Sequence, residues 1–161
     1  MNSLSAERFV GCFGSVFEHS PWVAAGVEPM RPFSSAVQLH SKMVTVVKTA
    51  TPDQQMSLIC GHPDLAGRLT LTAESVREQA SAGIGDAGDT ILAEMRRLNG
   101  AYRERFGFPF IICARLNKVD AIVSAMKRRL LNERDAEIAA ALEEIYKIAE
   151  LRLADLVEKA R

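Results

Sequence analysis

A chain of 161 residues fits one domain and can bury a full core without disulfide or metal staples. Twenty Lys and Arg balance twenty Asp and Glu, so no surplus of charge directs it to nucleic acid or to an anionic membrane. Three cysteines (Cys12, Cys60 and Cys113) are too few and too scattered for a disulfide framework or a CxxC zinc site, which fits a reducing setting. The opening MNSLSAERFVGCFGS lacks the basic start and continuous apolar stretch of a secretory signal. The longest wholly apolar run, Phe108–Ala114, falls far short of the ~18 residues that span a bilayer. The closing EKAR is not a peroxisomal SKL-type signal. The expectation is a soluble cytoplasmic protein with one domain over 1–161.

Helical signals dominate from residue 34 onward. In 34–50, Ala36, Leu39, Met43, Val46 and Val47 recur at three and four residues, an amphipathic pattern. Thr51-Pro52-Asp53-Gln54 reads as a fresh start: Thr51 as N-cap, Pro52 at the first helical position, Gln54 completing a capping box. That helix should stop near Gly61. Thr72 can cap a helix over 73–82, ended by Gly83 and Gly85. In 88–105, Ile91, Met95, Leu98 and Tyr102 keep helical spacing. Asn117, with Asp120 three residues on, opens a helix to about Asn132, and the longest helix covers about 135–159. Between them Phe106-Gly107-Phe108-Pro109-Phe110-Ile111-Ile112 breaks the period; Pro109 pushes Phe108 towards extended backbone, giving an extended apolar connector. No strands alternate with these helices, so the expected fold is all-α, a single-domain multi-helix bundle with one extended connector.

Three groups of residues suggest chemistry. On the last helix, Leu142, Ile145, Ile148, Ala149 and Leu156 line one face, and Arg152 falls inside that stripe, roughly 20° from Ile145. A guanidinium there must snorkel to water, pair with an acid, or meet an anionic or carbonyl-rich ligand. In Ser75-Val76-Arg77-Glu78-Gln79, the residues Ser75, Glu78 and Gln79 project from one side of a helix. A hydroxyl, a carboxylate and an amide together can hold a small, flat, polar molecule; the bland alternative is a solvated face. Val76 and Ala80, pointing elsewhere, would then dock the helix.

Of three histidines, His40 sits on the apolar side of its helix as a satisfied core or rim residue, and His19 precedes Ser20-Pro21 at a helix junction, where capping explains it. His62 lies in a loop or at a helix boundary between two helices, where Pro63 biases it away from helical geometry; imidazole is the commonest general acid–base group. No HxxxH or HExxH spacing supports zinc, and no phosphate loop, dinucleotide fingerprint or GxSxG elbow occurs. On the residues alone, a non-catalytic helical module that binds a small molecule or a partner helix competes with an enzyme. A metal-dependent hydrolase ranks behind both for want of ligand spacing.

The same signals lie in stretches that resemble the 2-oxo-4-hydroxy-4-carboxy-5-ureidoimidazoline (OHCU) decarboxylases. These are FEHSPWVA (17–24), GHPDLAG (61–67), LTAESVREQASAGI (71–84), LNGAYRERFGFPFIICA (98–114) and RLLNERDAEIAAALEEIYKIAELRLADLV (129–157). The resemblance implies an all-helical, usually dimeric carboxy-lyase that needs no metal or organic cofactor, acting on OHCU and yielding (S)-allantoin in urate breakdown. By that resemblance His62 and Glu78 are the catalytic pair, with Glu78 fixing the tautomer of His62. Pro63, Ser75, Gln79, the backbone of Phe110, Ile111 and Ile112, and Arg152 meet the substrate. Ile84 stands where the family often has Leu, a conservative change.

Overall fold

The computed structural model describes residues 1–66 and 72–159. Gly67 and Leu71, at the edges of two of the resembling stretches, and Ala160 and Arg161 of the closing EKAR lie outside the described residues.

Among the described residues every regular element is helical: α1 (Ala6–Phe13), α2 (Pro21–Val27), α3 (Ala36–Lys48), α4 (Pro52–Cys60), α5 (Ala73–Ser81), α6 (Asp89–Phe106), α7 (Val119–Arg129) and α8 (Arg134–Lys159), with 3₁₀ turns at Glu28–Met30 and Ala114–Leu116. The all-α expectation holds. No helix among the described residues is long and apolar enough to cross a membrane.

Local chemistry explains the boundaries. The Thr51 hydroxyl accepts from Gln54 N–H while the Gln54 side chain accepts from Thr51 N–H, so the capping box forms as the spacing predicts. Ser35 and Thr72 cap α3 and α5 through their hydroxyls. Gly107, at φ 82°, ends α6 in the left-handed conformation that glycine adopts without penalty. One start differs from expectation: α7 begins at Val119, because the Asn117 amide donates to the Cys113 carbonyl at 3.0 Å and closes the preceding turn instead of capping. It ends at Arg129 rather than Asn132, whose amide is drawn to Glu137 at 2.7 Å. A helix junction at Ser20-Pro21 is expected and found, but the extents of α1 and α2 were not foreseen. Their signals are short: Ser5 caps α1 with Phe9 and Phe13 four apart on its buried face, and Pro21 opens α2. His19 does not cap; its side chain is mostly exposed, and Ser20 takes the N-cap position.

The chain divides into two compact units. The first holds residues 1–61 and the chain from Tyr146 onward. In it α2 packs against α1 and α3, and Phe9, Phe17, Val23, Leu39, Met43 and Leu58 form the core. Here His40 meets the Tyr146 carbonyl at 2.9 Å, the satisfied rim histidine that its helix position implies.

The second unit is His62–Ile145. Helix α6 packs along α7, and α5 lies against the Ala114–Leu116 turn. Its core is aromatic: Tyr102 has Phe106, Phe108 and Phe110 at ring-centroid distances of 4.6, 5.8 and 5.3 Å, the last two edge-on, as ring quadrupoles prefer. The Phe108–Cys113 stretch is non-helical and buried, an apolar connector as its composition predicts.

Candidate active site

His62 opens the second unit, and residues 64–66 just after it are tied to helices α5 and α6 at three points. Arg103 Nε meets both Asp64 carboxylate oxygens at 3.0 Å. The Asn99 amide donates to the Leu65 carbonyl at 2.7 Å, and Ala66 N–H donates to Gln79 Oε1 at 3.1 Å. Ala66 adopts φ 53°, a left-handed conformation that costs an alanine of order 1 kcal/mol, so its bond to Gln79 helps fix a bend the backbone would not choose. These ties hold residues 64–66, which closely follow the buried His62.

Helix α5 corrects one expectation. Val76 is 51% exposed and Ala80 is exposed, whereas Ser75 and Gln79 are buried, so the polar face docks the helix and the apolar residues look outward. The reason is hydrogen bonding. The Ser75 hydroxyl lies 3.1 Å from that of Thr72, Gln79 takes the Ala66 amide, and Ala82 just beyond the helix supplies the core contact. A solvated Ser75–Gln79 face is therefore ruled out. Burying a hydroxyl and an amide without partners would cost a few kcal/mol, and here each has a partner.

The connector faces the same region. Burial above all pushes the Cys113 thiol up, and the carboxylates of Glu144 and Glu78 push it the same way; Glu78 on α5 thus lies within electrostatic reach of the connector's end. Helix α5 also packs on the turn that follows Cys113. Ser75, Glu78, Gln79, His62, Pro63 and Phe110–Ile112 all fall within the second unit.

Arg152 belongs to the first unit. It is buried and pairs with Glu18 at 2.5 Å, with the Ser15 carbonyl at 3.5 Å, so of the options open to a guanidinium on an apolar stripe the structure shows the acid pair.

Sequence reasoning missed a buried polar network in the second unit. Arg129 binds the Glu137 carboxylate at 2.9–3.0 Å, donates to the Ile111 carbonyl at 2.7 Å, and stands over the Phe110 ring at 4.5 Å. Tyr102 donates its phenol to Glu137, which is 0% exposed. Burial first, and then that bond to Glu137, raise the Tyr102 phenol well above its ordinary range. Nearby, Glu144 accepts from Cys113 N–H at 2.7 Å. A signal was present: Glu137 stands on the same α8 stripe as Ala141 and Ile145, four and eight residues on, just as Arg152 does further along. Among the described residues no group of three or more His, Cys, Asp or Glu is placed to hold a metal ion.

Comparison with known proteins places this arrangement. The OHCU decarboxylase family model matches residues 2–154. The OHCU decarboxylase of Haloferax volcanii is 43% identical over 155 residues, covering 96% of this chain and 92% of its own length. That of Amia calva is 45% identical over 164 residues, covering 98% and 93%. A crystal structure of (S)-allantoin synthase superposes with a TM-score of 0.78 at 30% identity, over 96% of this chain and 51% of that one. With a match that runs almost end to end and relatives this similar over nearly their whole length, the chain belongs to the OHCU decarboxylase family.

Proposed function

We infer that this chain decarboxylates 2-oxo-4-hydroxy-4-carboxy-5-ureidoimidazoline to (S)-allantoin and CO₂ in urate degradation. Membership of the family over residues 2–154 carries that reading. The buried polar face of α5, set against a tied loop that begins at His62, supports it from the structure. We further propose that residues 1–161 act as one catalytic domain, cytoplasmic and homodimeric, without metal or organic cofactor. Dialysis against a chelator should then leave turnover unchanged; loss restored by a metal would end the cofactor-free reading.

Breaking the bond to the carboxylate releases CO₂ and leaves an electron pair delocalised into the ring; a proton must then reach the neighbouring carbon from one side. Without an electron-sink cofactor, preorganised donors have to stabilise that charge. In our reading His62 orients the departing carboxylate or the hydroxyl and takes part in proton transfer, and Glu78 fixes its tautomer. Pro63, Ser75, Gln79 and the backbone of Phe110, Ile111 and Ile112 hold the substrate. Arg152 supplies charge-assisted hydrogen bonds to a carboxylate or ureido carbonyl.

The test generates the unstable substrate in place from urate with urate oxidase and hydroxyisourate hydrolase, and follows optically active allantoin by circular dichroism. Wild type should give a rapid signal of the S enantiomer. His62→Asn should abolish it with the fold intact. Slow, racemic product from folded wild type would sink the proposed activity, and a folded His62→Asn variant at near wild-type rate would remove His62 from the mechanism.

A further inference from the structure

The connector is gripped at two consecutive peptide groups, and by opposite ends of each. Arg129, a cation, holds the Ile111 carbonyl at 2.7 Å; Glu144, an anion, holds the Cys113 N–H at 2.7 Å. Both peptides are trans, the only cis bond among the described residues being Arg31–Pro32. A trans peptide points its C=O and N–H in opposite directions in one plane. Fixing the Ile111 carbonyl therefore aims the Ile112 N–H away from Arg129, and fixing the Cys113 N–H aims the Ile112 carbonyl away from Glu144. Among the described residues neither the N–H nor the C=O of Ile112 has a hydrogen-bond partner, although Ile112 is buried. Buried backbone groups are almost always paired, so this donor and acceptor await something.

The two grips also polarise what they aim. A guanidinium on the far end of the 111–112 peptide makes its N–H a stronger donor, and a carboxylate on the far end of the 112–113 peptide makes its C=O a stronger acceptor. The grip on Arg129 is itself braced, since Glu137 holds it and takes further bonds from Tyr102 and Asn132.

We propose that Arg129, braced by Glu137, and Glu144 are positioning residues that set Ile112 as a paired donor and acceptor for a urea-like group, which carries N–H beside C=O. This rests on the reading above, in which the connector backbone meets a ureido substrate. Neither side chain touches substrate; both act through the peptide groups of Ile112.

The test compares wild type, Glu144→Ala, Glu144→Gln and Arg129→Lys in the coupled dichroism assay, with melting temperature measured on each. A ureido contact exists in the ground state as in the transition state, so its loss raises KM more than it lowers kcat. Glu144→Ala should raise KM roughly tenfold or more, the effect of one weakened charge-assisted contact. Glu144→Gln, which keeps an oxygen for the Cys113 N–H, should restore most of it. Arg129→Lys should follow Glu144→Ala in direction. Glu144→Ala and Arg129→Lys both folded with KM within about twofold of wild type would overturn the proposal and leave the decarboxylase reading standing. A lowered melting temperature with unchanged KM would do the same, marking the residues as structural. No turnover by folded wild type would overturn both.

Discussion

Among the described residues each unit of the molecule buries one arginine–glutamate pair, and the two differ in how they are built. Arg152 and Glu18 join positions 134 residues apart in the chain, whereas Arg129 and Glu137 sit eight apart at the junction of α7 and α8. The second pair is dressed with a phenol, an amide, a backbone carbonyl and an aromatic ring. The lesson concerns inference from pattern. A charge on an apolar stripe announces a paired buried charge, and whether the pair serves binding or scaffolding is decided by what else its members hold.

Cutting one partner of each pair gives the largest expected effects. Arg129→Met leaves Glu137 buried beside an uncharged neighbour and should cost about 3–5 kcal/mol in denaturant unfolding. Arg152→Met takes the guanidinium away from Glu18, which is 2% exposed, and should cost a similar amount, so a bare loss of activity in that variant would not identify a ligand-binding arginine. Replacing both partners separates the roles. Because well-packed apolar substitutes for a buried pair are often neutral, Glu18→Met with Arg152→Met should recover most of the stability while remaining inactive. Recovery of normal turnover along with stability would make Arg152 structural and remove it from the proposed substrate set.

A smaller effect probes the dressing of the second pair. Tyr102→Phe removes one charge-assisted bond to Glu137 and should cost about 1.5–3 kcal/mol. Since folding favours the protonated phenol, its contribution is complete below about pH 10 and drains away as pH rises above the unfolded value. The alkaline limb of a stability–pH profile should therefore flatten in Tyr102→Phe, and an unchanged limb would contradict the raised phenol. Smallest of all, Val76→Ser on the outward face of α5 should shift stability by no more than about 0.5 kcal/mol. A loss of 2 kcal/mol or more would mean that the apolar face docks after all.

Much of this fold was legible because caps and periodicity are local. Thr51 with Gln54, Thr72, and the aromatic run broken by Gly107 and Pro109 each set a boundary within a few residues of where it falls. Helices α1 and α2 were harder, being only eight and seven residues long, too short for a period to declare itself. At the site, the polar triplet of α5 was legible as a triplet but not as the docking face, because the partner of Gln79 is the N–H of Ala66, in a loop outside the helix. The hold of Arg129 on the connector, and the ties made by Asn99 and Arg103, were invisible for a like reason. Each acts on a backbone atom or side chain at least 18 residues away, and no spacing rule within one helix reports that.

The three ties on the loop after His62 are unequal in their response to ionic strength. The Asp64–Arg103 pair joins a partly exposed carboxylate to a guanidinium 43% exposed, and counterions at a few hundred millimolar screen such a contact. The bonds from Asn99 to Leu65 and from Ala66 to Gln79 link neutral groups, and salt hardly weakens them. A rise in salt should thus slacken one tie and leave two, so the placement of His62 is buffered against the medium.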